Sequence, residues 1–279
     1  MKKTKVKVYA KINFTLDVGG LDNGYHKIKS LVSSIDLYDE ITVTKRQDRR
    51  ITLKNVGIDP KCTVVDNNAY KTAKMFKEKY NTLGVDIVIN KKIPVASGLG
   101  GSSADVAGVL KAMDVIFPGE HDLVEIANAI GSDCAYMLDG GYAVIGGRGD
   151  EIKHLNANTK FYLIIMTADS GLSSREAYKE FDRQEIVYPP VTEKAVENLV
   201  GDKKGEFIKL IRNDLYPASS EKVPEIKQNL ELLSSVAPSV MSGSGSSVFA
   251  VFLDKTARDT AYRVLRKKYK DKIIKSQTI

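Results

Sequence analysis

The stretch "PVASGLGGSSAD", Pro94 to Asp105, sets Gly98, Gly100, Gly101, Ser102 and Ser103 directly before "VAGVLKAM", a run of helix formers. Glycine lets the backbone reach positive φ and brings N–H groups close to a ligand. A helix that starts straight after such a loop offers unpaired N–H groups and the positive end of its dipole, which together suit a phosphate. Ser102 and Ser103 can cap that helix or donate to phosphate oxygens. A tight connection that needs glycine only for its turn would read alike. The loop lacks the Gly-Lys-Ser/Thr ending of a Walker loop, and its spacing is not GxGxxG. The chain has no GxSxG nucleophile elbow either.

Three other places carry chemistry-bearing residues. "VMSGSGSSVFAVF", Val240 to Phe252, is a second loop of small residues between strand-like segments, another backbone surface that a phosphate could approach. "AIGSDCAYML" sets Asp133 after a Gly-Ser pair among apolar residues, either as a helix cap or as a sheltered carboxylate. Lys11 in "YAKINFTL" follows a strand. A lone lysine is most often solvated, so Lys11 gains weight only in company.

The elements that must position these residues alternate irregularly. "KVKVYA", "KINFTLDV" and "DEITVTKR" have the period-two alternation of half-buried strands. "DNNAYKTAKMFKEKY" puts Ala69, Ala73, Met75, Phe76 and Tyr80 on roughly one helical face, and "VDIVI" returns to strand. After the glycine loop, Ala104, Val106, Ala107, Leu110 and Met113 sustain a helix, "HDLVEIANAI" predicts another, and "YAVIGG" a strand. The pattern resets around "HLNANTK". "FYLIIM" then starts a strand, with helices expected near 173–181, 191–200, 206–211 and 224–236. Two strands flank "MSGSGSS", and a helix over "KTARDTAYRVLRKKY" precedes a strand at "KIIKS". Strands and helices mixed without regular alternation favour an α+β class. The reset suggests two domains, 1–155 and 156–279.

With 279 residues, 42 Lys and Arg against 35 Asp and Glu, and a net charge of +7, the chain has the makeup of an ordinary globular protein. Its basicity suits an anionic ligand, but the lysines are dispersed and no aromatic-interleaved basic tract marks a nucleic-acid surface. Cys62 and Cys134 build no disulfide framework, and His26, His121 and His154 are too scattered for a zinc site. No segment has the ~18–20 apolar residues of a membrane span, and the start has no signal-peptide core. A cytoplasmic protein, without membrane or nucleic-acid partners, is expected.

"YAKINFTL", "PVASGLGGSSAD" and "MSGSGSSVF", in that order, resemble the three motifs of the GHMP kinases. "NGYHKIKSLVSSIDLYDEITV", "IGSDCAYML", "GGRGDEI" and "NDLYPA" look like those of the branch that phosphorylates the 2-hydroxyl of 4-diphosphocytidyl-2-C-methyl-D-erythritol, in the non-mevalonate isoprenoid route. The chain departs from that pattern at Asn23, Ala135 and Tyr216, and in the "GGSSAD" wording of its loop. The resemblance implies a ribosomal protein S5 domain 2-like N-terminal domain and a ferredoxin-like C-terminal domain. It implies ATP as co-substrate, with Mg2+ bound mainly through the nucleotide and water and Ser103 as a contributor, and a monomer or weak homodimer.

Residue by residue, the resemblance implies that Pro94, Val95, Ala96, Ser97, Gly98, Leu99, Gly100, Gly101, Ser102, Ser103 and Ala104 wrap the ATP phosphates. Asn67 and Lys91 match positions on the nucleoside side of ATP. Asp133 would accept or orient the substrate hydroxyl's proton, and Lys11 would keep that carboxylate ionised and counter negative charge. Tyr25 and Tyr178 would stack on the cytosine, with His26 bonding its polar edge. Other readings are a mevalonate- or homoserine-type kinase of the same superfamily, and a non-enzymatic nucleotide sensor or RNA-binding protein.

Overall fold

The structure, a computed structural model, describes residues 2–22, 24–184, 187–270 and 272–279. The departure at Asn23 lies outside the described residues. In chain order the first half holds β1 (Lys3–Asn13), β2 (Thr15–Asp22), β3 (Tyr25–Lys45), β4 (Thr52–Gly57), α1 (Asn68–Lys79), β5 (Val85–Lys91), α2 (Gly101–Ile116), α3 (Leu123–Ile130), α4 (Ser132–Asp139), β6 (Tyr142–Gly146) and β7 (Glu151–His154). Then follow β8 (Tyr162–Met166), α5 (Ser174–Phe181), α6 (Thr192–Val200), α7 (Lys204–Phe207), β9 (Arg212–Asn213), α8 (Tyr216–Lys222) and α9 (Pro224–Ser234). The chain closes with β10 (Ser239–Met241), β11 (Val248–Phe252), α10 (Lys255–Arg266) and β12 (Ile273–Gln277).

Contacts gather the chain into two compact units that interleave along the sequence. One comprises Met1–Ala10, Leu37–Val95 and Gly100–Gly140, and the other Lys11–Asp36, Ala96–Leu99 and Gly141–Ile279. The division expected after Leu155 falls inside the second of these. The α+β class holds. Among the described residues no helix is long and apolar enough to cross a membrane.

In the first unit, β5 pairs antiparallel with Glu40–Lys45 of β3 and parallel with β4. A parallel pair needs a crossover, and α1 supplies it. Asn67 starts that helix by accepting the backbone N–H of Ala69 on its side chain. Ala69, Thr72, Ala73 and Phe76 form the buried face of α1, at three- and four-residue spacing. Ile41, Val43, Ile87 and Ile89 are buried on the strands. Gly108 lets α2 press onto them: a β-carbon there would stand 2.5 Å from Ile41 Cγ1 and 2.7 Å from Val8 Cγ1. A mid-helix glycine costs about 1 kcal/mol against alanine, and this close approach offsets it.

In the second unit, Ser30–Ser33 of β3 pair with β6, β2 pairs with β3 and with β9, and β6 pairs with β7. A separate antiparallel sheet has the order β10-β11-β8-β12. Phe14 centres an aromatic cluster, with Phe161, Phe207 and Phe249 at centroid distances of 5.3, 5.1 and 5.8 Å. A second cluster packs α5, α8 and α9 against β8 and β11, with Met166, Phe181, Ile226, Leu233 and Val248 buried. Several elements differ from the sequence reading. β4, β7, β9 and α8 form where no element was expected, α4 forms where a helix cap was one of two readings of Asp133, and the helix expected over 206–211 is one turn, Lys204–Phe207.

Candidate active site

Between β5 and α2 the backbone takes positive φ at Ala96 (50°), Gly98 (75°) and Gly100 (72°). Gly100 is the residue before α2, in the left-handed conformation, and no side chain caps the helix. The leading N–H groups of α2 therefore have no intrahelical acceptor and no side-chain cap. With the helix dipole behind them they form an anion cradle. Asn68 Nδ2 donates to the Ser102 hydroxyl over 3.1 Å, and burial pushes the Cys134 thiol of α4 up to about 11, with the Ser103 hydroxyl pulling it down.

Within the second unit, all three sequence motifs meet. The Lys11 N–H donates to the Leu99 carbonyl at 2.9 Å and the Ser247 N–H to the Ser97 carbonyl at 2.9 Å. Ser242 Oγ donates to the Gly98 carbonyl at 3.0 Å and accepts from the Asn13 N–H at 3.2 Å. Gly98 sits so close that a β-carbon on it would stand 2.1 Å from the Ser242 carbonyl oxygen. Lys11 is 4% exposed, its ammonium 2.7 Å from Asn13 Oδ1, and a β-carbon on Gly243 would lie 3.2 Å from that ammonium. Asn213 Nδ2 braces the second loop from below, donating to Met241 O at 2.8 Å and Gly243 O at 2.7 Å. Asn13, Asn213 and Ser242 lie inside motifs read from the sequence, which gave none of them a role at the site. Tyr216, the departure in "NDLY", opens α8, whereas the bracing comes from Asn213, which the chain keeps.

In the first unit, Lys91 is the fourth inward position of β5, after Val85, Ile87 and Ile89. Its ammonium donates to Asp39 Oδ2 at 2.6 Å, Asp105 Oδ2 at 2.6 Å and the Gly101 carbonyl at 2.9 Å. Those three bonds use all its hydrogens, so the contribution of this side chain is to fix the first turn of α2 from inside. Asp39 also accepts from the N–H groups of Lys92 and Ile93, at 2.5 and 2.8 Å. Burial pushes the Asp105 carboxyl up to about 7, with Lys91 pulling it down and Asp39 pushing it up. Asn67 is a buried cap of α1. Asp133 is not a cap. Gly131 holds that position, and Asp133 lies inside the first turn of α4, partly exposed, where the helix dipole favours a carboxylate.

A cleft of about 710 Å³ in the second unit is lined by apolar Val18, Leu21, Ile28, Phe181, Tyr188 and Pro190, with Asp17, His26, Lys29 and Asp182 among its polar residues. His26 is held on every side. Its ring stacks on Tyr178 (5.6 Å, 17°) and meets Phe181 edge-on (5.6 Å, 87°). Its Nδ1 lies 2.7 Å from the Gly19 carbonyl and its Nε2 2.6 Å from Asp182 Oδ1. Tyr25 is exposed, with the Arg148 guanidinium over its ring at 4.7 Å. Tyr25 and Tyr178 do not line this cleft, and Phe181 and Tyr188 supply its aromatic walls. The sequence reading had named neither.

Comparison with known proteins bears on the same regions. Residues 67–146, which contain the glycine loop and Asp133, match the GHMP kinases N terminal domain, and residues 195–271 match the GHMP kinases C terminal domain. The chain is 37% identical over 278 residues to the 4-diphosphocytidyl-2-C-methyl-D-erythritol kinase of Clostridium beijerinckii, covering 97% of this chain and 98% of that one. The chain belongs to the GHMP kinase family. A crystal structure of 4-(cytidine 5'-diphospho)-2C-methyl-D-erythritol kinase superposes with a TM-score of 0.84 at 25% identity, over 98% of each chain. The homoserine kinase of Cytophaga hutchinsonii shares the fold, with a TM-score of 0.76 at 17% identity over 100% of this chain and 95% of that one. The expected two-domain GHMP kinase architecture and an ATP-dependent small-molecule kinase are thereby borne out, with ATP as co-substrate.

Proposed function

We propose that this GHMP kinase transfers the γ-phosphate of ATP to the 2-hydroxyl of 4-diphosphocytidyl-2-C-methyl-D-erythritol. The observation that carries the substrate assignment is the 37% identity, over nearly the whole of both chains, to a kinase of that name. A cleft with aromatic walls and a fixed polar pair, His26 and Asp182, is physically suited to a nucleobase.

Phosphoryl transfer passes through a loose transition state, so the protein mainly positions groups and stabilises charge. The N–H groups at the start of α2 and the hydroxyls of Ser102 and Ser103 hold the phosphates. Asp133 accepts or orients the proton of the attacking hydroxyl, and Lys11 counters negative charge. Among the described residues no group of three or more His, Cys, Asp or Glu side chains is arranged to hold a metal. The donors on offer fit an Mg2+ that would arrive on the nucleotide, and the Ser103 hydroxyl is the protein group that would help to hold it. The ion would neutralise phosphate charge. The protein works in the cytoplasm as a monomer or weak homodimer.

The position of the new phosphate tests the reading. Phosphorus NMR of the product should show a phosphomonoester on C2 of the methylerythritol, beside an intact diphosphate bridge. A phosphate on any other hydroxyl would overturn the proposal.

A further inference from the structure

A groove of about 550 Å³ opens in the second unit between α9 and the connection from α10 to β12. Asn229 and Leu232 of α9 form one wall, and Lys267, Lys268, Tyr269 and Lys270 the other. It shares no residue with the glycine loops or with the cleft around His26.

Asn229 calls for an explanation. It falls in the buried stripe of α9, three residues after Ile226 and four before Leu233, and is itself 6% exposed. Its Nδ2 is buried and has no hydrogen-bond partner among the described residues. A buried donor without an acceptor costs the full desolvation of the group, and asparagine is a poor helix former as well. A leucine would continue the apolar stripe without that cost. Packing and helix stability therefore do not account for the amide. Because Asn229 lines the groove, a ligand there can supply the acceptor.

The opposite wall is cationic. Lys267, Lys268 and Lys270 are exposed, and none of them has a carboxylate partner among the described residues. The dipole of α10 favours cations at its C-terminus, which explains Lys267 and Lys268. That effect fades within the last turn, so it does not explain Lys270. Glu225 also lines the groove, but its charge is already matched. Its Oε1 accepts from the Lys272 ammonium at 2.8 Å, and its Oε2 from the Asp169 N–H at 2.8 Å. Asp271, between Lys270 and Lys272 in sequence, lies outside the described residues.

We infer that this groove is a binding site for a small organic diphosphate. Asn229 Nδ2 donates to a phosphate oxygen, and the three unpaired ammonium groups offset the charge. A single phosphate carries about −1.5 to −2 at pH 7, which leaves one of the three uncompensated, and a second phosphate supplies the balance. Leu232 and the half-buried Tyr269 give the carrier group an apolar wall. The volume falls within the ~300–1,000 Å³ of small-molecule sites, well beyond what a lone anion fills.

The test is calorimetric titration of the full chain with pyrophosphate, while a non-hydrolysable ATP analogue saturates the nucleotide site. The wild type should bind pyrophosphate outside that site, with an affinity that falls as salt rises. Replacing two surface lysines, Lys268→Gln with Lys270→Gln, should weaken this binding about 10-fold or more, the loss expected for charge-assisted bonds. The KM for ATP should not move. Inorganic phosphate should bind about 10-fold or more weakly than pyrophosphate. In ¹⁵N spectra the side-chain amide of Asn229, assigned by its loss in Asn229→Ala, should shift when pyrophosphate is added. The inference is overturned by no binding outside the nucleotide site, by an affinity that the lysine pair does not change, or by an Asn229 amide that stays in place. Phosphate binding as tightly as pyrophosphate overturns the diphosphate assignment. These readouts follow binding at the groove alone, so they stand or fall independently of the substrate proposed above.

Discussion

The ammonium of Lys91 lies 2.6 Å from Asp105 Oδ2, with both side chains almost fully buried. Asp39, 2.6 Å away on the other side, completes the group, and the Gly101 carbonyl takes the third hydrogen. Breaking a buried pair by removing one partner typically costs about 3–5 kcal/mol, because the remaining charge is uncompensated. Lys91→Met should therefore lose stability of that order in urea unfolding, and ATP affinity should fall as the first turn of α2 loosens. A variant as stable as the wild type would mean that the carboxylates need no cation.

Asp105 also gives stability a pH dependence. Burial raises its folded pKa from 3.8 to about 7, so folding takes up a proton between those values. Its contribution is complete below about pH 4 and is lost as pH rises through about 7. Melting temperature should fall across that window more steeply in the wild type than in Asp105→Asn, which has no proton to lose. Parallel pH profiles would exclude Asp105 as the titrating group.

Gly98→Ala tests the stitching of the loop. A β-carbon there would meet the Ser242 backbone oxygen at 2.1 Å, and the residue already has φ of 75°. Left-handed backbone costs a non-glycine residue about 1–2 kcal/mol before any clash. ATP affinity should drop about 10-fold or more, the equivalent of ~1.4 kcal/mol, with the circular dichroism spectrum retained. Unchanged calorimetric affinity in a folded variant would separate this loop from the phosphates.

How much of this was legible follows from which signals are local. The glycine loop could be read because positive φ restricts residue type, and Gly98 and Gly100 have it. The inward aim of Lys91 was also written locally, in the alternation of Val85, Ile87 and Ile89, although the resemblance pointed toward ATP. Asp39 gave no such warning. Its partner is 52 residues away in sequence, and "LYDEITV" reads as a half-buried strand. His26 and Asp182 are 156 residues apart, so only the fold could pair them. The interleaved units were hidden because β1 changes unit at Lys11 and β3 at Leu37, inside continuous strands without a turn signal. α8 was missed because Pro217, in its first turn, reads equally well as a turn.

Asp133→Asn removes basicity while keeping shape. If Asp133 handles the hydroxyl's proton, turnover should fall about 10²–10⁴-fold with ATP and substrate binding near normal. On the same proposal Lys11→Ala should also lose turnover, and the double variant should lose less than the product of the two if both side chains serve the same transfer. Asp133→Asn within a few-fold of wild-type turnover would leave it no part in the chemistry.

Coupled ADP release with 4-diphosphocytidyl-2-C-methyl-D-erythritol, set against mevalonate, homoserine and galactose, tests the central claim most directly. Many turnovers per enzyme are expected with the cytidylated substrate alone, abolished or nearly so in Asp133→Asn. Turnover of mevalonate, homoserine or galactose in its place, or binding of the cytidylated compound without ADP release, would contradict the account.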